Sequence, residues 1–229
     1  IEFFQDVLNK QAMVNAGLKF VLYNETETGM EMFEYYYENG IVDYVKETVG
    51  DDGFTTVETW EMEREGRDRA DKEDYRMKMQ VAFCFSNKVN MLEYYHNSSY
   101  LEHGGSPDKA VRNAFVYAID RYLKQNDKYN KNDSKITFAD VADCLALVIN
   151  SLSTQTSYEN QTKKAINNKF IQDAMTEFLR QQLEVYFIEN KTDAEKIANQ
   201  VLVNKKSREN AEKARIDIKK KLTGTMDIT

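Results

Sequence analysis

Proline is almost missing from this chain, with one residue in 229, and glycine is held to nine. So few breakers argue against a turn-dense β-sandwich and for long uninterrupted elements. Cysteine is scarce too. Cys84 and Cys144 stand far apart, each in an apolar run, which suits a reducing compartment where both serve as small core residues. There is no CxxC pair and no His/Cys cluster of zinc spacing, and His96 and His103 do not make a metal site by themselves. No apolar run approaches the ~20 residues of a membrane span, and no secretory leader is visible. A cytoplasmic setting without membrane contact is the expectation. Positive charge is in deficit, with a net charge of −7, which argues against a simple basic nucleic-acid-binding domain. The chain opens on Ile1 and already reads as helical there, so a piece excised from a longer protein is expected.

What is present is enough for a real core: 41% of residues are apolar and 30% charged, fitting one large domain or two small ones. The charge is uneven. Residues 1–70 carry 16 acidic and 6 basic side chains. Residues 204–221 carry eight basic ones (Lys205, Lys206, Arg208, Lys213, Arg215, Lys219, Lys220 and Lys221) against three acidic.

Helical spacing of Phe3, Phe4, Val7, Leu8 and Ala12 predicts a helix over 2–16, ended by Gly17. Residues 18–24 and 30–37 read as paired strands, and 41–49 as a short helix. Residues 54–63 and 75–85 read as a hairpin whose loop, 64–74, is almost wholly charged. Met77, Met79, Val81, Phe83 and Phe85 alternate as in a half-buried strand, and 89–95 reads as another. The pattern then changes. Ser106-Pro107 predicts a helix start with Ser106 as N-cap, followed by apolar pairs every four residues from Ala110 to Leu123. After a polar linker, Thr137 and Asp140 have capping-box spacing ahead of a strand at 145–149. Phe170 to Phe187 forms a further amphipathic helix. Thr192 with Glu195 predicts the cap of a last helix running to about Leu222, with a thin apolar stripe (Ile197, Val201, Ala211, Ile218) of the kind seen in struts and levers. Strands first, then helices, predict an α+β fold: a mixed sheet with helices mainly on one face.

Between the Ser/Thr-rich stretch 151–157 and the helix from Phe170 lies Tyr158-Glu159-Asn160-Gln161-Thr162-Lys163-Lys164. In an extended loop Gln161 and Lys163 point the same way. An amide and an ammonium side by side both donate to a phosphate oxygen. By itself such a loop is ordinary solvated surface.

The order of its surroundings changes that. Tyr158-Glu159 with Gln161-Thr162-Lys163, then a helix and a long basic helix, resembles the transducer domain of the type IIA DNA topoisomerase B subunits. Upstream, Phe33-Glu34-Tyr35 through Gly40-Ile41 to Tyr44-Val45, Asn97 through Gly104-Gly105, and Ile136-Thr137 through Asp140-Val141 to Leu145 are similar to segments of that family in the same order. Val7 to Gly17 resembles the last helix of the preceding GHKL-type ATPase domain, so 1–17 is expected to be its tail and 18–229 the transducer. Two stretches depart from the family pattern, Lys164-Ala165-Ile166-Asn167-Asn168 and Gly104-Gly105-Ser106-Pro107, as in a divergent member.

The resemblance implies a ribosomal-protein-S5-like fold with a left-handed βαβ crossover. It implies that Lys163 contacts the γ-phosphate of ATP, supported by Gln161, while Thr162 shapes the loop. ATP with Mg²⁺ would be bound mainly by the absent ATPase domain, so the piece alone is expected to be inactive. The implied partners are DNA, the upstream ATPase domain, the topoisomerase A subunit and a second B subunit. Lys205, Lys206, Arg208, Lys213, Arg215 and Lys219 become candidates to face DNA, against the alternative of a solvated strut. His103 beside Gly104-Gly105 reads as a turn, and the Tyr35–Tyr37 and Tyr94–Tyr95 clusters as strand packing. Rival readings are an S5-like interaction or nucleic-acid-binding module of another protein, or the middle domain of a MutL-like or chaperone-like ATPase of the same superfamily.

Overall fold

The computed structural model describes residues 1–224. Helix α1 (Glu2–Val14) leads to the antiparallel pair β1 (Phe20–Thr26) and β2 (Gly29–Tyr35), then α2 (Ile41–Val49) and a single 3-10 turn. The hairpin β3 (Glu58–Gly66) and β4 (Tyr75–Phe85) follows, then β5 (Met91–His96) and the short β6 (Ser99–Tyr100) and β7 (Gly104–Gly105). The rest is α3 (Ser106–Gln125), α4 (Phe138–Ala142), β8 (Leu145–Ser153), β9 (Ala165–Ile166), α5 (Lys169–Glu189) and α6 (Lys191–Gly224). Among the described residues no helix is long and apolar enough to cross a membrane.

Five strands form one sheet in the order β3-β4-β8-β5-β6. β4 is antiparallel to both β3 and β8, whereas β8 is parallel to β5. The sheet is therefore mixed, and α3 and α4 lie on the crossover that a parallel pair needs. On one face, Met77, Met79, Val81, Phe83 and Phe85 of β4 join Leu145, Leu147 and Ile149 of β8 against α3, α5 and the start of α6. Trp60 packs here as well, 4.8 Å from the ring centroid of Phe83.

Helices thus pack mainly on that face, but the other is not bare: α2 covers its centre, with Ile41, Val45 and Val49 packed against Ala82, Cys84, Ala146 and Val148. The runs 81–85 and 145–149 are continuously apolar rather than alternating, as befits strands buried on both faces. Cys84 and Cys144 lie on opposite sides of this arrangement, both buried and unpaired. Burial pushes their thiols up to about 11 and about 12, so neither is an activated nucleophile.

Two expected caps are also corrected. Gly105, not Ser106, holds the N-cap of α3, with φ 80°, and Ser106 is the first helical residue. The last helix begins at Lys191, which places Thr192 inside its first turn. The Thr192–Glu195 box does not form. Because α5 and α6 meet at the single residue Asn190, the carbonyl of Asn190 accepts the Ala194 N–H at 2.9 Å, and Glu195 faces Lys128 at 3.4 Å. By contrast, Thr137 N–H donates to Asp140 Oδ2 at 2.7 Å, the reciprocal half of a capping box.

α6 is 34 residues long, about 50 Å at the helical rise. Ala194, Ile197, Ala198 and Val201 are buried, but Ala211 and Ile218 are exposed. The apolar stripe therefore packs only as far as Val201, and residues 210–223 stand exposed as an arm. Its root is fixed by Asp140, which is 0% exposed. Arg208 grips it in a fork, Nε to Oδ1 at 2.6 Å and Nη2 to Oδ2 at 3.1 Å, while Asn204 donates to its carbonyl at 2.9 Å. Burial opposes the charge on Asp140, but the guanidinium and the Thr137 N–H outweigh it and hold the carboxyl below its usual range.

Replacing Arg208 with Ala leaves a buried carboxylate unpaired and is expected to cost about 2–3 kcal/mol. Lys213→Ala on the exposed arm should stay within about 0.5 kcal/mol. Denaturant unfolding of the two variants checks this. The stability difference is fully present above the unfolded carboxyl pKa of ~3.9. It should vanish as pH falls through the lower folded value.

Candidate functional site

The segment singled out by its amide and ammonium is a closed loop with a short neck. Tyr158 and Ile166 form an antiparallel bridge, and Glu159 N–H donates to Ala165 O at 2.9 Å. At the tip, Lys163 N–H donates to Asn160 O at 3.3 Å and the Thr162 hydroxyl to Asn160 Oδ1 at 2.6 Å. Lys163 has φ 57°, a left-handed conformation that costs a non-glycine residue roughly 1–2 kcal/mol. The tip is therefore a turn, not an extended strand, and the alternation rule does not place Gln161 and Lys163 on one side. Both are exposed, as is Thr162.

The two neighbouring lysines differ in their partners. Lys164 pairs with Glu102. Lys163 has no carboxylate partner among the described residues, and its Nζ stands 5.6 Å from the ring centroid of Tyr158. Lys163 thus combines a left-handed backbone with an exposed ammonium that meets no carboxylate among the described residues. Glu159 is drawn back to Lys109 at 3.7 Å, away from the tip.

The far foot of the loop rests on Gly104-Gly105. β7 and β9 pair in parallel, Gly105 opposite Ile166. A Cβ on Gly105 would lie 2.1 Å from Ile166 O, so only glycine allows the approach. The Ser106 hydroxyl donates to the carbonyls of Ile166 and Asn168 at 3.2 and 2.9 Å. The buried amide of Asn168 donates to Asp68 Oδ2 and to Tyr75 OH at 2.9 and 3.0 Å, and its Oδ1 accepts from Ser157 N–H at 2.7 Å. Asp68 Oδ1 also accepts the Phe170 N–H at 2.8 Å, capping the first turn of α5 from the charged hairpin loop.

The near foot leaves the end of β8 beside His96, which is fully buried. Desolvation lowers its pKa to about 4, so the ring is neutral at ordinary pH. Sequence reasoning weighed His96 only as a metal ligand and gave no role to Asp68, Tyr75 or Asn168. The available signal was the Ser/Thr-rich stretch 151–157, whose hydroxyls turn out to face the imidazole. His103 lies in the turn before β7 and is exposed. Tyr37, Tyr94 and Tyr95 are buried, whereas Tyr36 is half exposed.

The basic residues of α6 separate into two groups. Lys205 is 4% exposed and lies between Glu209 and the ring of Tyr129, so the expectation that it faces DNA is withdrawn. Arg208 is likewise turned inward onto Asp140, because that carboxylate needs a partner. Lys206, Lys213, Arg215 and Lys219 are exposed. Arg215 is paired with Glu212 at 2.8 Å.

Gly105→Ala is expected to cost well over about 1 kcal/mol and to detach β9. Thermal unfolding would show the loss, and amide exchange would show it centred on residues 157–168. Separately, the unfolded chain protonates His96 near its ordinary 6.5, whereas the folded one resists until about 4. Stability is therefore expected to fall by up to about 3 kcal/mol as pH drops through that window. His96→Gln should flatten this part of the pH–stability curve.

The family described as DNA gyrase B matches residues 40–216. The B subunit of DNA gyrase from Mycoplasma pneumoniae is 26% identical over 215 residues, covering 91% of this chain and 32% of that protein. Its Mycoplasma genitalium counterpart is 25% identical over 215 residues, with the same coverage of 91% and 32%. This chain thus spans about a third of the length of the curated relatives it matches. Among solved structures, the 43K ATPase domain of Thermus thermophilus gyrase B, in complex with an aminocoumarin, matches with a TM-score of 0.69 at 19% identity, over 93% of this chain and 55% of that one. The topoisomerase IV ATP binding domain of Francisella tularensis matches with a TM-score of 0.65 at 19% identity, over 90% and 53%. At these identities the structural likeness is one of fold. The sequence match, running through most of the chain, carries the assignment: this chain belongs to the DNA gyrase B family.

Proposed function

We propose that this chain is the transducer region of a type IIA topoisomerase B subunit, in which Lys163 meets the γ-phosphate of ATP and Gln161 supports that contact. The observation that carries the reading is the loop itself. It is held at both feet, and it presents at a strained turn the one lysine of its pair that lacks a carboxylate among the described residues. The group it would meet fits the donors present. An ammonium and a side-chain amide supply N–H donors to phosphate oxygens. Bound ATP with Mg²⁺, held mainly by the adjoining GHKL-type ATPase domain, would supply the terminal phosphoryl group.

Lys163 would then sense ATP against ADP, because only ATP brings the charge that its ammonium meets. A differential contact of this kind is what lets a ligand shift a two-state domain arrangement. The arm of α6 would carry that shift away from the loop and couple ATP binding and hydrolysis to DNA strand passage. On this reading residues 1–17 are the tail of the ATPase domain and 18–229 the transducer, with an S5-like fold and a left-handed crossover. The chain alone neither hydrolyses ATP nor relaxes DNA. The parent is a cytoplasmic isomerase that acts on DNA as a B-subunit homodimer with A subunits. Lys206, Lys213, Arg215 and Lys219 are the residues of α6 left to line a DNA path. The gyrase B match gives no support to the rival readings of an unrelated S5-like module or a MutL-like middle domain.

The test is Lys163→Ala in the full-length protein, with the A subunit and DNA present. ATP turnover is expected to fall at least about tenfold, equivalent to ~1.4 kcal/mol of transition-state stabilisation, with ADP affinity unchanged. Wild-type turnover in the variant would overturn the assignment of Lys163.

A further inference from the structure

The near foot of the loop is fastened by an unusual buried group. The ring of His96, the last residue of β5, reaches the segment that carries the chain from β8 into the loop. Its Nδ1 is 2.8 Å from Ser151 Oγ, and its Nε2 is 3.0 Å from both Ser153 Oγ and Thr156 Oγ1. The Ser153 hydroxyl donates to Gln155 O at 2.6 Å and lies 3.1 Å from Thr156 Oγ1, and the Ser151 hydroxyl also reaches Tyr95 O at 3.1 Å. A neutral ring carries one proton, so it donates at one nitrogen and accepts at the other, and either tautomer keeps a hydrogen bond to Ser151 at Nδ1 and to Thr156 at Nε2.

Asn97, next in sequence and at φ 47°, continues the fastening. Its Nδ2 donates to Ser153 O and Thr156 Oγ1 at 3.2 and 3.1 Å, and its Oδ1 accepts from Ser153 N–H at 3.0 Å. Thr156 is therefore held from two sides. One residue further, Ser157 is tied to Asn168 on the far foot, and Tyr158 begins the neck.

We propose that His96 is a positioning residue for the Gln161–Lys163 turn, acting through Thr156 to fix where the loop leaves the sheet. A buried imidazole suits this task. It is rigid, reaches Ser151 on β8 with one nitrogen and Thr156 beyond the strand with the other, and stays neutral without a counter-charge. A solvated polar side chain at the same place would let the foot swing, and small displacements of a group that meets a reacting phosphate reduce rate steeply. The catalytic part of this inference rests on the proposed role of Lys163; the fastening of the loop does not.

The test uses two variants of the full-length protein. Thr156→Val is nearly isosteric and removes only the hydroxyl, and His96→Gln removes the ring. In both, amide exchange over residues 157–166 is expected to rise at least tenfold while the amides of β4 and β8 keep their protection. ATP turnover is expected to fall severalfold in kcat with KM little changed, and the loss should disappear in a Lys163→Ala background. Unchanged loop exchange, or faster exchange spread evenly across the sheet, would reduce His96 to an ordinary core residue and overturn the inference. If Lys163→Ala keeps full turnover while Thr156→Val still loosens the loop, the fastening stands and the proposed function fails.

Discussion

The contact on which the candidate site depends is the approach of two backbones at Gly105 and Ile166. Nothing larger than a hydrogen fits between them. That one closeness sets the parallel pairing of β7 with β9, lets the Ser106 hydroxyl reach two carbonyls, and starts α3 at its observed place. It also delivers Asn168 to the point where it joins three segments: the hairpin loop through Asp68, strand β4 through Tyr75, and the near foot through Ser157. A loop with exposed, polar tip residues would ordinarily sample many conformations. Here both ends of its neck are tied to buried groups, so the ordering cost of the tip is reduced before any ligand arrives.

The long helix divides in a similar way, into a fixed root and an exposed arm. α6 packs its first turns with Ala194, Ile197 and Val201 and is then gripped by the buried Asp140. Beyond that point residues 210–223 are exposed. The proposed lever role would use such a division, because a helix packed along its whole length cannot move relative to the domain, and one without a fixed root cannot transmit force. Arg208 and Lys205 read in the sequence as part of a uniform basic run. The fold turns them inward to complete the root.

Much of the architecture was legible in the sequence because it is local or periodic. The alternation in β4, the four-residue apolar pairs of α3 and α5, and the reach of the last helix all follow from spacing. Element ends shifted by a few residues where tertiary contacts outbid local caps, as at Ser106 and Thr192. The second helical layer over Ala82 and Ala146 was less visible, because small apolar residues on the alternate face of a strand look neutral until a helix is seen to pack there. At the site, Gln161 and Lys163 were found by residue type and order. The groups that hold them were not, because Asp68, His96 and Asn168 lie far apart in sequence and carry no motif.

By itself the sequence determined the longer elements, though not the two-residue strands β6, β7 and β9, together with the core-forming faces and which side chains at the loop tip have chemistry to offer. These are properties of short windows, set by helical and strand periodicity and by donor type. Only the tertiary structure decided how that loop is presented. It bent the tip into a left-handed turn at Lys163, gave Lys164 a carboxylate and Lys163 none among the described residues, and closed the neck between a buried imidazole and a glycine. Those outcomes depend on pairings across long sequence separations, and such pairings exist only once the sheet has brought its distant segments together.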